Sequence, residues 1–204
     1  YYTGALVMDP QSGECLAEYA LAQEVVLELI GRAQTLGLYT ELCTRDEYFI
    51  GESHGISEQH SAHLRAVPKR TNLLEQALCK PVLKLLFAVT EQAEHELLYR
   101  LEAQYPQLTF AYARMPANPD WLFVSVIDAT ACKRKGFDQL LSHHGVLPHE
   151  VVSFGDAQSD KVFLSLAGLG VAMGNATDDV KAVADVVTWP VWQDGVAAVL
   201  EQLR

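Results

Sequence analysis

The chain lacks most of what would mark a secreted, membrane-spanning or nucleic-acid-binding protein. Its four cysteines, Cys15, Cys43, Cys79 and Cys132, contain no C-x-x-C pair, so neither a zinc ribbon nor a disulfide scaffold is indicated, and a reducing cytoplasm is the expected location. No apolar stretch reaches the roughly 18 residues that a bilayer span requires, and no basic-then-apolar leader opens the chain. Positive charge is scarce: 15 Lys and Arg stand against 26 Asp and Glu, a formal net charge of -11. Neither nucleic acid nor an anionic membrane is therefore an expected partner, because both need a basic surface. The one basic cluster, "KRK" at Lys133 to Lys135, reads equally as a solvated helix start. The chain also opens on Tyr1 rather than Met, so a processed front or a longer parent polypeptide is expected.

What is present is a core-forming sequence. Half of the 204 residues are hydrophobic, enough for one medium domain or two small ones. Strand and helix patterns alternate, which predicts an α/β fold. From about Met8 to Ile127 the strands "LYTELCT", "EYFI", "KLLFAVT", "LTFAYAR" and "WLFVSVI" are interleaved with helical periods at "AQEVVLELIGRAQTLG", "SEQHSAHLRAV" and "EQAEHELLYRLEAQY". "MPANPD" reads as the turn between the last two strands. From Asp128 onward the rhythm is a regular strand, turn and helix: "EVVSF", "LGVAM" and "DVVT" alternate with "KGFDQLLSHHG", "SDKVFLSLA", "TDDVKAVA" and "GVAAVLEQL". Short loops and apolar strands of this kind predict a parallel, doubly wound sheet. Ligands bind such sheets beyond the carboxyl ends of the strands. "GDAQSD" and "GNATDD" both fall there.

In the first of these turns Asp156 follows Gly155, and Asp160 lies one turn further on. Either Asp156 or Ser159 could simply cap the helix that follows. The alternative is chemical. Two carboxylates on a rim, with a lysine from the preceding helix start, suit Mg²⁺ and a phosphate together: magnesium takes hard oxygen ligands, and an ammonium neutralises phosphoryl oxygens.

The run "GDAQSDKVFLSLAGLGVAMGNATDDVKAVADVVTWPVWQDGVAAVL" resembles the C-terminal end of haloacid dehalogenase-like (HAD) phosphatases of the Cof type, with their G-D-x-x-N-D, M-G-N-A, A-D-x-V-T and D-G-V patterns. "TGALVMD" resembles the entry into that family's large α/β cap, with Thr3 in place of the usual Asn. The resemblance implies a Rossmann-like core with an inserted cap: residues 1–7 lead into the cap, 8–127 form it, and 128–204 form the C-terminal part of the core. It implies an Mg²⁺-dependent phosphatase acting on a small phosphorylated metabolite through an aspartyl-phosphate. Asp156 matches the metal ligand, Asp160 the second acid that helps orient the metal site, and Asn175 a rim residue. Ser159 replaces an Asn that contacts substrate or supports the site. The phosphate-binding lysine is open between Lys135, which precedes Gly136 as in the family's K-G pair, and Lys133, whose distance to Asp156 fits better. Lys133 is preferred.

The family's D-x-D-G-T nucleophile motif is not found in this chain. Asp9, in "MDPQSG", and Asp128, in "IDATACK", lack its context. The core is therefore expected to be incomplete, lacking its N-terminal part, and the chain to be inactive alone. A strand "EVVSF" with an unpaired edge is expected to draw a missing segment or a second copy as partner. Two other readings stay open: a non-catalytic relative that binds a phosphate ligand or a protein, and a phosphosugar mutase or specialised sugar-phosphate phosphatase. His60 and His63 are expected at the surface. His143 and His144 should sit favourably at a helix C-terminus. Trp121, Trp189 and Trp192 read as packing anchors, and Arg45, Asp46 and Tyr48 as the place to look for substrate selection.

Overall fold

The computed structural model describes residues 1–115 and 118–203; Pro116 and Ala117, in the middle of the expected "MPANPD" turn, lie outside the described residues. The N-terminal residues form a short turn followed by a hairpin of β1 (Leu6–Met8) and β2 (Cys15–Glu18). Then come α1 (Gln23–Leu36), β3 (Tyr39–Cys43), β4 (Tyr48–Ile50), α2 (Gly55–Leu64), β5 (Lys69–Arg70), α3 (Leu73–Cys79), β6 (Lys84–Val89), α4 (His95–Glu102), β7 (Leu108–Met115) and β8 (Asn118–Asp128). The remainder is α5 (Lys133–His144), β9 (Val152–Gly155), α6 (Lys161–Leu166), β10 (Leu169–Ala172), α7 (Asp178–Lys181), β11 (Val186–Val187) and α8 (Gly195–Leu200).

The strands form two principal sheets. The larger has the order β5-β4-β3-β6-β8-β7, antiparallel except at the β4/β5 pair. Strand side chains alternate between faces, and here the two faces have different cover. Leu85, Phe87 and Val89 of β6, with Leu122, Val124 and Val126 of β8, pack on α1, α3 and α4 through Val26, Leu29, Ile30, Leu73, Ala77, Leu98 and Leu101. The intervening Leu86, Ala88 and Phe123 meet Ile56 of α2. A further cluster of Leu6, Leu83, Ile127 and Ala131 joins the β1–β2 hairpin to the end of the large sheet. The smaller sheet, β11-β10-β9, is wholly parallel, as the strand-turn-helix rhythm predicts. Among the described residues β9 pairs only with β10.

Two elements depart from the sequence reading. Helix α3 lies in what reads as a polar connection; Asn72 caps it by accepting a hydrogen bond from the Leu74 amide at 3.1 Å, and Leu73 and Ala77 are its only buried residues. With so narrow an apolar face, it carries little periodic signal. Helix α2 starts earlier than expected. His54 caps it, accepting from the Ile56 N–H, while Ser57 Oγ accepts from the His54 N–H, a reciprocal cap.

His60 is corrected from surface to interior. It is buried beneath α2, where its Nδ1–H donates to both oxygens of Glu41 at 2.9 and 3.0 Å. Tyr39 Oη–H donates to the same carboxylate at 2.6 Å. Glu41 is 1% exposed, so without these donors its charge would be unsupported in a dry interior. His63, by contrast, is exposed. Trp189 and Trp192 are also corrected: they are 61% and 72% exposed and anchor no packing. Trp121 is half-buried and lies against Phe123, with ring centroids 6.3 Å apart.

The carboxyl end of β9 is shaped by Gly155. A Cβ at this position would lie 2.4 Å from the Asp160 Cβ, closer than real carbon atoms approach. Two outcomes follow. Gly155→Ala should lower stability in urea denaturation by about 1–3 kcal/mol through overpacking; an unchanged midpoint would contradict the close approach. Glu41→Leu should destabilise less than His60→Leu, which strands a buried carboxylate and should cost about 3–5 kcal/mol. Equal losses in the two variants would show that the pair is not the issue.

Candidate functional site

The loops after β9 and β10 meet on one rim, as the parallel order requires. Asp156 directly follows β9 and is exposed. Its Oδ2 accepts a hydrogen bond from Asn175 Nδ2 at 2.8 Å, and Asn175 lies in the turn after β10. Asn175 Oδ1 in turn accepts from the Val191 N–H at 2.9 Å, which ties in the loop beyond β11. Three successive strand ends are thus linked through one asparagine.

Asp160 organises the other side. Its Oδ2 accepts from the backbone N–H groups of Ala157 at 3.0 Å and Asp156 at 3.2 Å, closing the turn. Its Oδ1 pairs with Lys133 Nζ, from the first residue of α5. Both side chains are largely shielded, at 24% and 14% exposure for Lys133 and Asp160. Burial works to raise the Asp160 pKa, but the Lys133 ammonium and the two amides outweigh it and hold the carboxyl below its ordinary value. Lys133 also lies over the Phe163 ring, 5.6 Å from its centroid. It borders a hollow of about 610 Å³ walled by Tyr2, Val7, Gly136 and Phe163.

Of the two candidate lysines, Lys133 is the one on this rim. Lys135 turns away, donating to the Thr130 carbonyl at 2.8 Å and lying over the Tyr19 ring. Ser159 is exposed on the turn. Asp128 accepts from the Thr130 N–H at 2.8 Å and serves its own turn. Arg45 pairs with Glu18 of β2, and Tyr48 is engaged with Ser61 and the Ala66 carbonyl; Asp46 is exposed.

The sequence reading passed over Asp179. Lys161 Nζ donates to its carboxylate at 2.6 Å, Thr177 Oγ donates at 2.6 Å, and Gln158 also bonds to it. Led by the Gln158 hydrogen bond and then by Lys161, these contacts hold its pKa well below the ordinary carboxylate range. They tie the Asp156 turn to α7. The only signal in the sequence was the "TDD" that follows "GNA".

The comparisons with known proteins bear on the whole chain. A family model for haloacid dehalogenase-like hydrolases matches residues 1–200. A Haemophilus influenzae protein classed provisionally as a phosphatase is 30% identical over 155 residues, covering 70% of this chain and 57% of that protein. A crystal structure from Thermotoga maritima superposes with a TM-score of 0.85 at 25% identity, over 98% of this chain and 73% of that one. A haloacid dehalogenase-like hydrolase from Bacteroides thetaiotaomicron gives 0.81 at 28%, over 100% and 75%. The chain therefore spans a little over half the length of the Haemophilus relative.

These matches correct the description of the chain by a missing part to what is matched: the family likeness runs along residues 1–200, and the two solved chains are covered over 73% and 75% of their length. The likeness runs along the full described chain, from the N-terminal hairpin onward, as a Rossmann-like core with an inserted cap. Asp9 is buried directly after β1, in the hairpin turn, where its carboxylate accepts from the Gln11 and Ser12 amides. Among the described residues, no helix is long and apolar enough to cross a membrane. By the family match over residues 1–200, the chain belongs to the haloacid dehalogenase-like hydrolase family.

Proposed function

We propose that the protein is a cytoplasmic, Cof-like phosphatase that removes phosphate from small phosphorylated metabolites with Mg²⁺ bound at Asp156. The proposal keeps the division into residues 1–7, a cap over 8–127 and core over 128–204. The observation that carries it is the linked set Asp156, Asn175, Asp160 and Lys133 at the carboxyl ends of parallel strands, where α/β sheets bind ligands.

The donor set suits magnesium. Asp156 is exposed, one of its oxygens is oriented by Asn175, and its Oδ1 accepts no hydrogen bond among the described residues. The rim offers hard carboxylate oxygen rather than imidazole or thiolate, the preference of Mg²⁺. When bound, the ion would neutralise phosphoryl oxygens. The other roles belong to the protein. Lys133 supplies a positive charge that Asp160 holds in place, and an ammonium so fixed can bind a phosphate without first paying to order its side chain. Asp160 stays ionised and keeps the 156–160 turn closed. Asn175 aims Asp156. Ser159, exposed on the same turn, would donate its hydroxyl to a phosphate oxygen. The cap would exclude water from the rim.

The test is Mg²⁺-dependent phosphate release from a panel of small phosphomonoesters, together with Mn²⁺ binding by electron paramagnetic resonance. Asp156→Ala should abolish the magnesium stimulation and weaken Mn²⁺ binding at least about tenfold. Undiminished Mn²⁺ affinity would remove Asp156 as a ligand. Lys133→Met should weaken binding of inorganic phosphate, whereas Lys135→Met should not.

Lys133→Met should also let the Asp160 pKa rise toward its ordinary value, as a carboxyl ¹³C NMR titration would record. The sign for stability follows from linkage. A carboxyl whose folded pKa is depressed contributes stability that is present above its unfolded pKa and lost as pH falls through the folded one. The variant should therefore lose less stability than the native protein on acidification below the ordinary Asp range. A parallel loss in both proteins would show that Lys133 does not set that pKa.

A further inference from the structure

Where the C-terminus of α5 meets the β1–β2 hairpin, a second group of ligating side chains gathers that the rim does not use. Asp9, His143 and His144 each bring one ligand atom to within 4.8 Å of the others. We infer that these three residues form a binding site for a zinc-class transition-metal ion that ties the hairpin to α5.

Each side chain is suited to the task in a different way. Asp9 is 5% exposed, and its carboxylate is held by three donors: Gln11 N–H at 3.0 Å to Oδ1, and Ser12 N–H at 3.1 Å and Ser12 Oγ–H at 2.5 Å to Oδ2. Such outer contacts orient a metal ligand and fix its geometry before the ion arrives. They leave about one acceptor position free, on Oδ1, because an ionised carboxylate has about four and Oδ2 already takes two donors. The Ser12 hydroxyl first, then the Gln11 amide, hold the Asp9 pKa down to about 2, so the ligand is in its binding form at neutral pH.

The histidines come from the last turn of α5, which Gly145 ends in the left-handed conformation at φ 64. The two rings stand edge to face with centroids 4.9 Å apart, and His143 Nε2 is 3.7 Å from Asp9 Oδ2. In a tetrahedral site with bonds of about 2.0–2.1 Å, ligand atoms stand about 3.3 Å apart. Binding an ion requires the two exposed imidazoles to rotate inward from the present separations of up to 4.8 Å. Exposure also gives the ion its route in and leaves a fourth position for water.

Two imidazoles and one carboxylate favour Zn²⁺, Ni²⁺ or Cu²⁺ over Mg²⁺, which prefers oxygen alone. The helix C-terminus adds a favourable partial negative charge. Without an ion, the same groups can form only a long His143–Asp9 ion pair, in which His144 has no part. That difference makes His144 the discriminating residue. The inference does not depend on the function proposed for the rim, whose residues are different.

The experiment is isothermal titration of the untagged protein with Zn²⁺ in the presence of millimolar Mg²⁺, paired with thermal denaturation. One saturable site is expected, with a rise in Tm on zinc binding, since an ion that binds only the folded state stabilises it. His143→Ala, His144→Ala and Asp9→Asn should each weaken Zn²⁺ at least about tenfold and remove the Tm rise. Asn at position 9 retains the turn-forming oxygen, and the two histidines are exposed, so all three variants should fold; circular dichroism checks this. Absence of saturable binding overturns the inference, as does zinc affinity unchanged in the His143→Ala, His144→Ala double variant. Loss in the histidine variants with full affinity in Asp9→Asn would also overturn it, because the hairpin would then not be a partner.

Discussion

The rim depends on one carboxylate. Asp160 takes the Lys133 ammonium on one oxygen and two consecutive backbone amides on the other. It thereby joins the start of α5 to the turn after β9, through two residues that lie 27 positions apart in the chain. The amides fold the 156–160 turn, the turn presents Asp156, and the ammonium is held at the same place. Room for this comes from Gly155, since any side chain there would displace the Asp160 methylene. An ion pair at the surface would contribute little; here the partial shielding and the backbone donors make it an organising contact.

The large sheet meets a different constraint. One face is a continuous apolar layer under three helices. The other is covered only in part, by α2, and contains the charged Glu41. The protein satisfies that charge with an imidazole from α2 and a tyrosine two residues away on the same strand face. The contact fixes where α2 sits on the sheet, which apolar contacts from Ile56 alone would leave less specific. Buried polar groups constrain orientation because the alternatives leave them unpaired.

Between these two units, the β1–β2 hairpin shares an apolar cluster with the end of the large sheet while Asp9 faces α5. A segment that reads as a surface turn is therefore a junction. A linear reading cannot show that a helix end about 130 residues later lies beside its aspartate.

By itself, the sequence determined the alternation of strands and helices, the parallel C-terminal sheet, and the rim position of Asp156, Asp160 and Asn175. These follow from local periodicity, from glycine at a strand end, and from short motifs, which neighbours in sequence suffice to specify. It favoured Lys133 over Lys135 on its distance to Asp156 but could not supply the packing against Phe163 and Asp160 that holds Lys133 at the rim. Nor did it reveal that His60 is buried on Glu41, that α3 exists, or that Trp189 and Trp192 stay exposed. Each of these depends on contacts between distant segments, and tertiary structure decides them because burial and pairing are properties of the assembled surfaces rather than of any residue alone.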